Sequence, residues 1–124
     1  MSLMSFPKDA RLLRRGDFQK TMNRGVKVVC PLVVLLAVPT KKDNCRLGII
    51  VSKRVSKRAH DRNKIKRYIR ECFRASDIRS ENMDLVVIAR SGSESADWIS
   101  WQKFMTKSLN KIAVKLHPES SKPS

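Results

Sequence analysis

Acidic residues are scarce in this sequence. Its 124 residues include 11 Asp or Glu against 27 Lys or Arg, which leaves a formal net charge of +16 at pH 7. An excess of one sign repels itself, and an anionic partner relieves that repulsion. Nucleic acid therefore ranks first among the partner classes and an anionic membrane surface second, while a basic protein without such a partner remains the plain alternative.

Patterns for metal binding and for disulfides are also missing. The three cysteines, Cys30, Cys45 and Cys72, are odd in number and far apart, and no CxxC or Cys/His pair has zinc spacing. We therefore expect buried, reduced thiols in a cytoplasmic protein and no metal site. The longest apolar stretch, 28–39, is broken by Pro31 and is shorter than the roughly 20 residues of a membrane helix, so we expect neither a membrane span nor a signal peptide.

Residue pairs for acid–base catalysis are lacking as well. A protein ribonuclease needs two histidines for proton transfer or clustered carboxylates that hold a metal ion. The sequence has only His60 and His117, and its acids are scattered singly with no DxD pair. We expect no catalytic residue in this chain, and we interpret His60 as a contact at a helix terminus or to RNA. A stand-alone nuclease is the disfavoured alternative.

Helix and strand patterns alternate along the chain. They predict helix 17–25, two strands within 26–38 divided near Pro31, strand 45–52, helix 58–75, strand 84–90 and helix 97–116. Asp17 is the expected cap of the first helix and Gly25 its left-handed C-terminal residue. Residues 41–44 read as a hairpin-type turn. The order αβββαβα predicts an α/β protein, a two-layer α+β sandwich on a four-stranded sheet.

The domain prediction is a single RNA-binding unit. Residues 1–10 are expected to form a flexible N-terminal segment, 11–116 the domain, and 117–124 a disordered tail. No internal repeat divides the chain.

The stretch RNKIKRYIRECFR at 62–74 carries six Lys or Arg in thirteen positions, with Glu71 as its only acid. At 100° per residue, its apolar side chains fall within an arc of about 140°, and the basic ones fill the remainder. A solvated basic face normally carries compensating acids at helical spacing. The absence of such compensating acids here favours a phosphate backbone as the partner, although charge alone does not distinguish DNA from RNA. A strand precedes the helix, which argues against a helix-turn-helix reader of DNA.

The stretch RLGIIVSKRVSKRAHDRNKIKRYIRECFR at 46–74 closely resembles the signature of the bacterial ribonuclease P protein family, in its proteobacterial form. Two flanking stretches agree in order, LLRRGDF at 12–18 and DLVVIARSG at 84–92. The resemblance implies the same αβββαβα sheet with a left-handed βαβ crossover, like the second domain of ribosomal protein S5. It also implies a protein subunit that assists an endonuclease in removing the 5′ leader from precursor tRNA, while its RNA subunit performs the hydrolysis.

The resemblance further implies two partners, the catalytic RNA and the 5′ leader of precursor tRNA, and neither DNA nor membrane. The residues implied to contact the catalytic RNA are Arg58, His60, Arg62, Asn63, Lys64, Lys66, Arg67 and Arg70. Those implied to contact the leader are Phe18, Met22, Ser52, Lys53, Arg54 and Arg90. No cofactor is expected on the chain alone, and Mg²⁺ is expected to be required by the holoenzyme and held largely by RNA.

Two positions depart from the family pattern. Many members carry a second aromatic residue one turn after Phe18, where this chain has Met22, a weaker platform for stacking a base. Ser56 replaces a frequent glycine. The main alternative function is a non-catalytic structural RNA binder such as a ribosomal protein, which has no reason for a leader cleft at Phe18 and Arg90.

Overall fold

A computed structural model of the chain describes residues 15–40, 45–76 and 82–116, without the side chains of 15–18. The predicted segments 1–10 and 117–124 lie outside the described residues. The helices are α1 (Arg15–Arg24), α2 (Ala59–Ala75) and α3 (Trp98–Leu116). The strands are β1 (Val26–Val29), β2 (Val33–Pro39), β3 (Arg46–Ile50) and β4 (Met83–Ala89), and a short 3₁₀ turn covers Ser93–Ser95. The predicted order αβββαβα is confirmed.

The four strands form one mixed sheet in the order β1-β2-β4-β3. β1 and β2 form an antiparallel hairpin around Pro31, β2 is antiparallel to β4, and β3 is parallel to β4. Because β4 lies between β2 and β3, residues 41–44 do not close a hairpin, and that expectation was wrong; the turn itself lies outside the described residues. The parallel pair is connected through α2, and the left hand of this crossover stays a prediction.

The two faces of the sheet are covered differently. Alternate strand residues, among them Leu35, Leu47 and Leu85, join buried side chains of α2 and α3 in one hydrophobic cluster. α1 contacts β2 and β4. Leu36 and Val86 are buried outside that cluster, on the opposite side of the same strands. The sheet therefore has α2 and α3 on one face and α1 on the other. None of the helices in the described ranges is long and apolar enough to cross a membrane.

Gly25 ends α1 through close packing. Its N–H donates to the Thr21 carbonyl at 2.8 Å, and a Cβ at this position would lie 2.3 Å from that carbonyl oxygen and 3.1 Å from the Ala37 nitrogen. The predicted left-handed conformation was wrong, since Gly92 is the only glycine with positive φ among the described residues. A side chain is excluded mainly because its Cβ would collide with the Thr21 carbonyl of α1 itself, and the nearby Ala37 backbone of β2 adds a second tight contact.

A buried ion pair joins the parallel strands β3 and β4 near their starts. Arg46 of β3 lies beside Asp84 of β4 and donates through Nε and Nη2 to its two carboxylate oxygens, at 2.8 and 2.7 Å. The Asp84 side chain is 5% exposed and that of Arg46 is 12% exposed. A two-pronged contact of this kind is specific in geometry, so it favours one register of β3 against β4.

Candidate nucleic-acid interface

Helix α2 presents two opposed faces. Its buried residues are Ile65, Ile69, Cys72 and Phe73, which pack into the core. On the outer side Asn63, Arg67 and Arg70 are exposed, and Lys64 and Lys66 are half-buried. The apolar arc predicted from the sequence therefore faces the sheet and the predicted basic arc faces outward.

The start of α2 is joined to the preceding loop by Ser56. The Ser56 hydroxyl donates to Asp61 Oδ2 at 2.9 Å and accepts from the Arg58 N–H at 3.2 Å, and Arg62 Nη1 donates to the Ser56 carbonyl at 2.9 Å. The hydrogen bond from Ser56 lowers the pKa of Asp61 below its ordinary value, and the charge of Lys64 acts in the same direction. Asp61 therefore stays ionised in the first turn, where a negative charge suits the helix dipole.

This joint at Ser56 was missed by the sequence reasoning, which noted Ser56 only as a replacement for glycine. The available signal was a serine two residues before the helix N-cap and five before an acid of the first turn. Arg62, one of the predicted RNA contacts, uses part of its guanidinium in this joint. The structure therefore gives Arg62 a role in fixing the loop as well.

Five of the eight residues predicted to contact the catalytic RNA lie around one shallow depression on the outer side of α2. They are His60, Asn63, Lys64, Arg67 and Arg70. The other three do not line this depression: Arg58 is exposed at the N-cap, and Arg62 and Lys66 are half-buried. The depression is lined by cations, a neutral amide and an imidazole, with no carboxylate. Such a lining suits phosphate oxygens.

Arg67 is held beside aromatic side chains. Its guanidinium carbon lies 5.7 Å from the centre of the Tyr68 ring, and Tyr68 in turn lies 5.0 Å from Trp98 and 6.1 Å from Trp101 of α3. A cation over an aromatic face is attracted by the ring quadrupole, and a partly ordered guanidinium loses less entropy on binding. Arg67 is therefore the best positioned of the exposed cations on α2.

Four of the residues predicted to contact the leader lie at one end of the sheet. Ser52, Lys53 and Arg54 follow β3 and are exposed, and Arg90 directly follows β4. Because β3 and β4 are parallel, with Ile50 opposite Ile88, these residues follow the strands at the same end of the sheet, where both strands have their carboxyl termini. Arg90 is exposed and donates through Nη1 to the Cys30 carbonyl at 2.9 Å, which fixes its guanidinium over the turn between β1 and β2.

The two remaining predicted leader residues lie on α1. Met22 is 47% exposed beside the buried Thr21, which shows that this turn of α1 offers an apolar side chain to solvent. Phe18 belongs to α1, but its side chain lies outside the described residues. Gly25 anchors the end of α1 against Ala37, which lies opposite Leu85 near the start of β4. The end of α1 and the Ser52–Arg54 loop are thus anchored toward different ends of β4.

The one histidine among the described residues, His60, has a carboxylate neighbour. Nδ1 of His60 lies 3.7 Å from Asp61 Oδ1, and the imidazole is 87% exposed. Within residues 15–40, 45–76 and 82–116, no three His, Cys, Asp or Glu side chains are grouped as a metal site would require. His117 lies outside these ranges. The described site is therefore suited to binding an anion, with a single solvent-exposed imidazole at its edge.

The chain matches the family model described as Ribonuclease P over residues 6–113. A protein from Pseudoalteromonas translucida named "Ribonuclease P protein component" is 34% identical over 123 residues, which is 99% of this chain and 88% of that protein. A protein of the same name from a Marinomonas species is 37% identical over 124 residues and covers 98% of this chain and 94% of its own length.

Solved structures agree with the sequence matches. The structure of the Staphylococcus aureus RNase P protein superposes with a TM-score of 0.77 at 36% identity, over 86% of this chain and 96% of that one. The RNase P protein from Thermotoga maritima superposes with a TM-score of 0.73 at 30% identity, over 82% and 96% of the two chains. The similarity thus extends over both the fold and the basic helix.

Proposed function

The chain belongs to the ribonuclease P protein family, and from that premise we propose that it binds the catalytic RNA and the 5′ leader of precursor tRNA directly. The family places the chain in tRNA processing, as the protein subunit of an endoribonuclease that cleaves tRNA precursors. In this family the RNA subunit carries out phosphodiester hydrolysis. The chain therefore belongs to an enzyme without being catalytic by itself.

The outer face of α2 is the proposed contact with the catalytic RNA. The observation that carries this proposal is the depression lined by His60, Asn63, Lys64, Arg67 and Arg70, on a helix whose other face is buried in the core. The helix is rigidly seated, so its cations are held at fixed spacing before RNA arrives. Arg forks and Lys point charges both bind phosphate without reading sequence, as the backbone of a folded RNA requires.

The leader is proposed to bind on the side of the sheet covered by α1. An exposed apolar side chain at Met22 and exposed cations at Lys53, Arg54 and Arg90 provide the two elements of a single-strand site. Such sites combine a basic track for the backbone with apolar or aromatic platforms for bases, and they tolerate many sequences. Phe18, in the same helix as Met22, is the proposed stacking residue.

Magnesium belongs to the RNA side of this proposal. We propose that the holoenzyme requires Mg²⁺ and that the ions are held largely by RNA. Cations on the protein reduce the phosphate repulsion that Mg²⁺ otherwise has to screen. Adding the chain to its RNA subunit should therefore lower the Mg²⁺ concentration needed for cleavage of precursor tRNA. No effect on rate or affinity at low Mg²⁺ would contradict the proposal.

The α2 contact is tested with Arg67→Ala. If Arg67 binds one phosphate, the variant should weaken binding to the catalytic RNA and reduce the slope of log K against log salt by about one. Arg24→Ala is the matched control, because Arg24 is also an exposed arginine but lies on α1, across the sheet. An unchanged slope for Arg67→Ala would show that Arg67 faces solvent in the complex.

The leader contact is tested with Phe18→Ala. Loss of one stacking platform should weaken precursor tRNA relative to mature tRNA by on the order of 1 kcal/mol, because only the precursor carries the leader. Equal losses for both substrates would mean that Phe18 supports the fold and does not contact the leader. Binding is measured at one fixed salt and Mg²⁺ concentration with the assembled holoenzyme.

The cytoplasm is the proposed location. It is supported by the free thiols of Cys30 and Cys72, of which the second is buried. Proteins that keep free thiols of this kind are typical of reducing compartments.

A further inference from the structure

Helix α3 carries a row of four lysines to which the proposed function gives no role. Lys103, Lys107, Lys111 and Lys115 recur at every fourth position of α3, and α3 contains no Asp or Glu. Residues four apart lie on the same side of a helix and are separated by about 6 Å along its axis. Like charges at this spacing repel each other, so the row destabilises α3 in the free protein by a small amount.

The row lies on the solvent-facing side of α3 and not in the groove between α3 and α2. Gln102, Thr106 and Asn110 line a groove shared with α2. At about 100° per residue, Lys107 lies opposite the buried seam formed by Met105 and Leu109, and Lys111 and Lys115 lie on the flank away from the groove. The lysine row is therefore a separate basic surface and not an extension of the depression on α2.

The two end lysines of the row contact other groups of the protein, and the two central lysines face solvent. Lys115 Nζ donates to the Lys27 carbonyl on β1 at 3.2 Å, and Lys103 Nζ lies 6.0 Å from the centre of the Phe104 ring. Lys107 and Lys111 are exposed, and the structure gives them no ion pair with an acid of residues 15–40, 45–76 or 82–116. Two adjacent ammonium groups at the centre of the row are thus available to an external anion.

We propose that the lysine row binds the phosphate backbone of a second segment of the catalytic RNA, apart from the segment on α2. The inference rests on the proposed function. α2 and α3 form one layer, so an RNA seated on α2 already lies against this side of the protein. The leader is proposed for the other side of the sheet, under α1. Lysine is a flexible point charge, which suits backbone contact without base reading.

The test compares two charge-matched variants in binding to the catalytic RNA alone. Lys107→Gln with Lys111→Gln removes two positive charges at i,i+4 spacing from the row. Lys20→Gln with Arg24→Gln removes two exposed charges at the same spacing from α1, on the opposite face of the sheet. We expect the first variant to reduce the slope of log K against log salt by about 1.4 to 1.8, from roughly 0.7 to 0.9 per phosphate contact. The control should change the slope much less.

The position of the RNA is tested by backbone footprinting. Lys107→Gln with Lys111→Gln should remove protection from a stretch of RNA that Arg67→Ala leaves protected, and Lys107→Arg with Lys111→Arg should restore it. In the salt titration, equal slope changes for the row variant and the control would mean that only net charge is involved. In the footprinting, loss of protection by the row variant at the stretch that Arg67 contacts would mean that a single RNA segment binds both surfaces. Either result overturns the inference. Failure of the unaltered protein to bind the RNA would instead overturn the proposed function.

Discussion

Replacing Arg46 with Met is expected to destabilise the protein strongly, because it leaves a carboxylate buried without its arginine. Asp84 is 5% exposed in its side chain, and both of its oxygens accept from Arg46, at 2.8 and 2.7 Å. Removing one partner of a buried ion pair typically costs 3 to 5 kcal/mol, because the remaining charge loses its compensation but not its burial. Domains of this kind have about 5 to 15 kcal/mol of stability in total. The variant should therefore lose at least about a fifth of its stability, and a larger share if the total is near the lower end of that range.

The assay is equilibrium unfolding in urea, followed by the fluorescence of Trp101, which is fully buried in the native protein. The stability of Arg46→Lys should lie between that of Arg46→Met and that of the unaltered protein, since lysine keeps the charge but lacks the two-pronged guanidinium. Arg46→Met combined with Asp84→Leu should recover most of the loss, because it removes the uncompensated charge and fills the space with apolar atoms. A loss below about 1 kcal/mol for Arg46→Met would refute the reasoning, since that is the range of exposed ion pairs.

Three further outcomes follow from local contacts. Gly25→Ala should cost about 1 to 3 kcal/mol in the same urea assay, because its Cβ would lie 2.3 Å from the Thr21 oxygen and the last turn of α1 would have to shift. Asp61 has a lowered pKa in the folded state, so its stabilising contribution is present above the unfolded pKa of about 4 and is lost as pH falls through the folded value. Ser56→Ala removes the main cause of that shift. The free energy of unfolding should therefore depend less on pH in this range. Burial raises the pKa of the Cys72 thiol to about 12, so a thiol reagent at pH 8 should label Cys72 only as fast as the protein opens.

Each of these expectations has an internal comparison. Gly92→Ala introduces a Cβ with no atom within 4 Å but at φ +95°, so any loss there measures backbone strain and not crowding. If the stability of Ser56→Ala and of the unaltered protein changes identically with pH in the acid range, Ser56 does not act on Asp61. Cys30 is half-exposed and should react with the thiol reagent before Cys72 does; equal rates would contradict the burial of Cys72.

The helix α2 could be predicted closely because its signals are local. The expected bounds 58–75 and the observed Ala59–Ala75 differ by one residue, and both faces of the helix lie as the periodicity indicates. Asp97 illustrates the same point at α3, where it accepts from the Ser100 N–H at 2.8 Å and caps the helix. The family of the chain was identified from the stretches 12–18, 46–74 and 84–92, and it is confirmed by the match over residues 6–113.

The features that the sequence reasoning missed depend on long-range geometry. Nothing local in residues 41–44 shows that the strands on either side are separated by β4, because strand order is decided by pairing partners far along the chain. The role of Gly25 depends on the approach of both the Thr21 carbonyl and the β2 backbone, and the Ser56 joint depends on where α2 begins. The lysine row was visible as a four-residue repeat, but its position outside the groove shared with α2 required the packing of α3.

The insertion of β4 between β2 and β3 constrains how the chain reaches its native state. β4, one of the two inner strands, is the last of the four to be synthesised, so β3 has no partner and β2 lacks its second partner until Met83–Ala89 is made. Until then the nascent chain can close only the β1–β2 hairpin, which is marginally stable alone. Assembly of the sheet is therefore late and non-local, with the slow kinetics that such pairing brings. During that interval β2, with the sequence VVLLAVP, is the segment most exposed to aggregation or to chaperone capture.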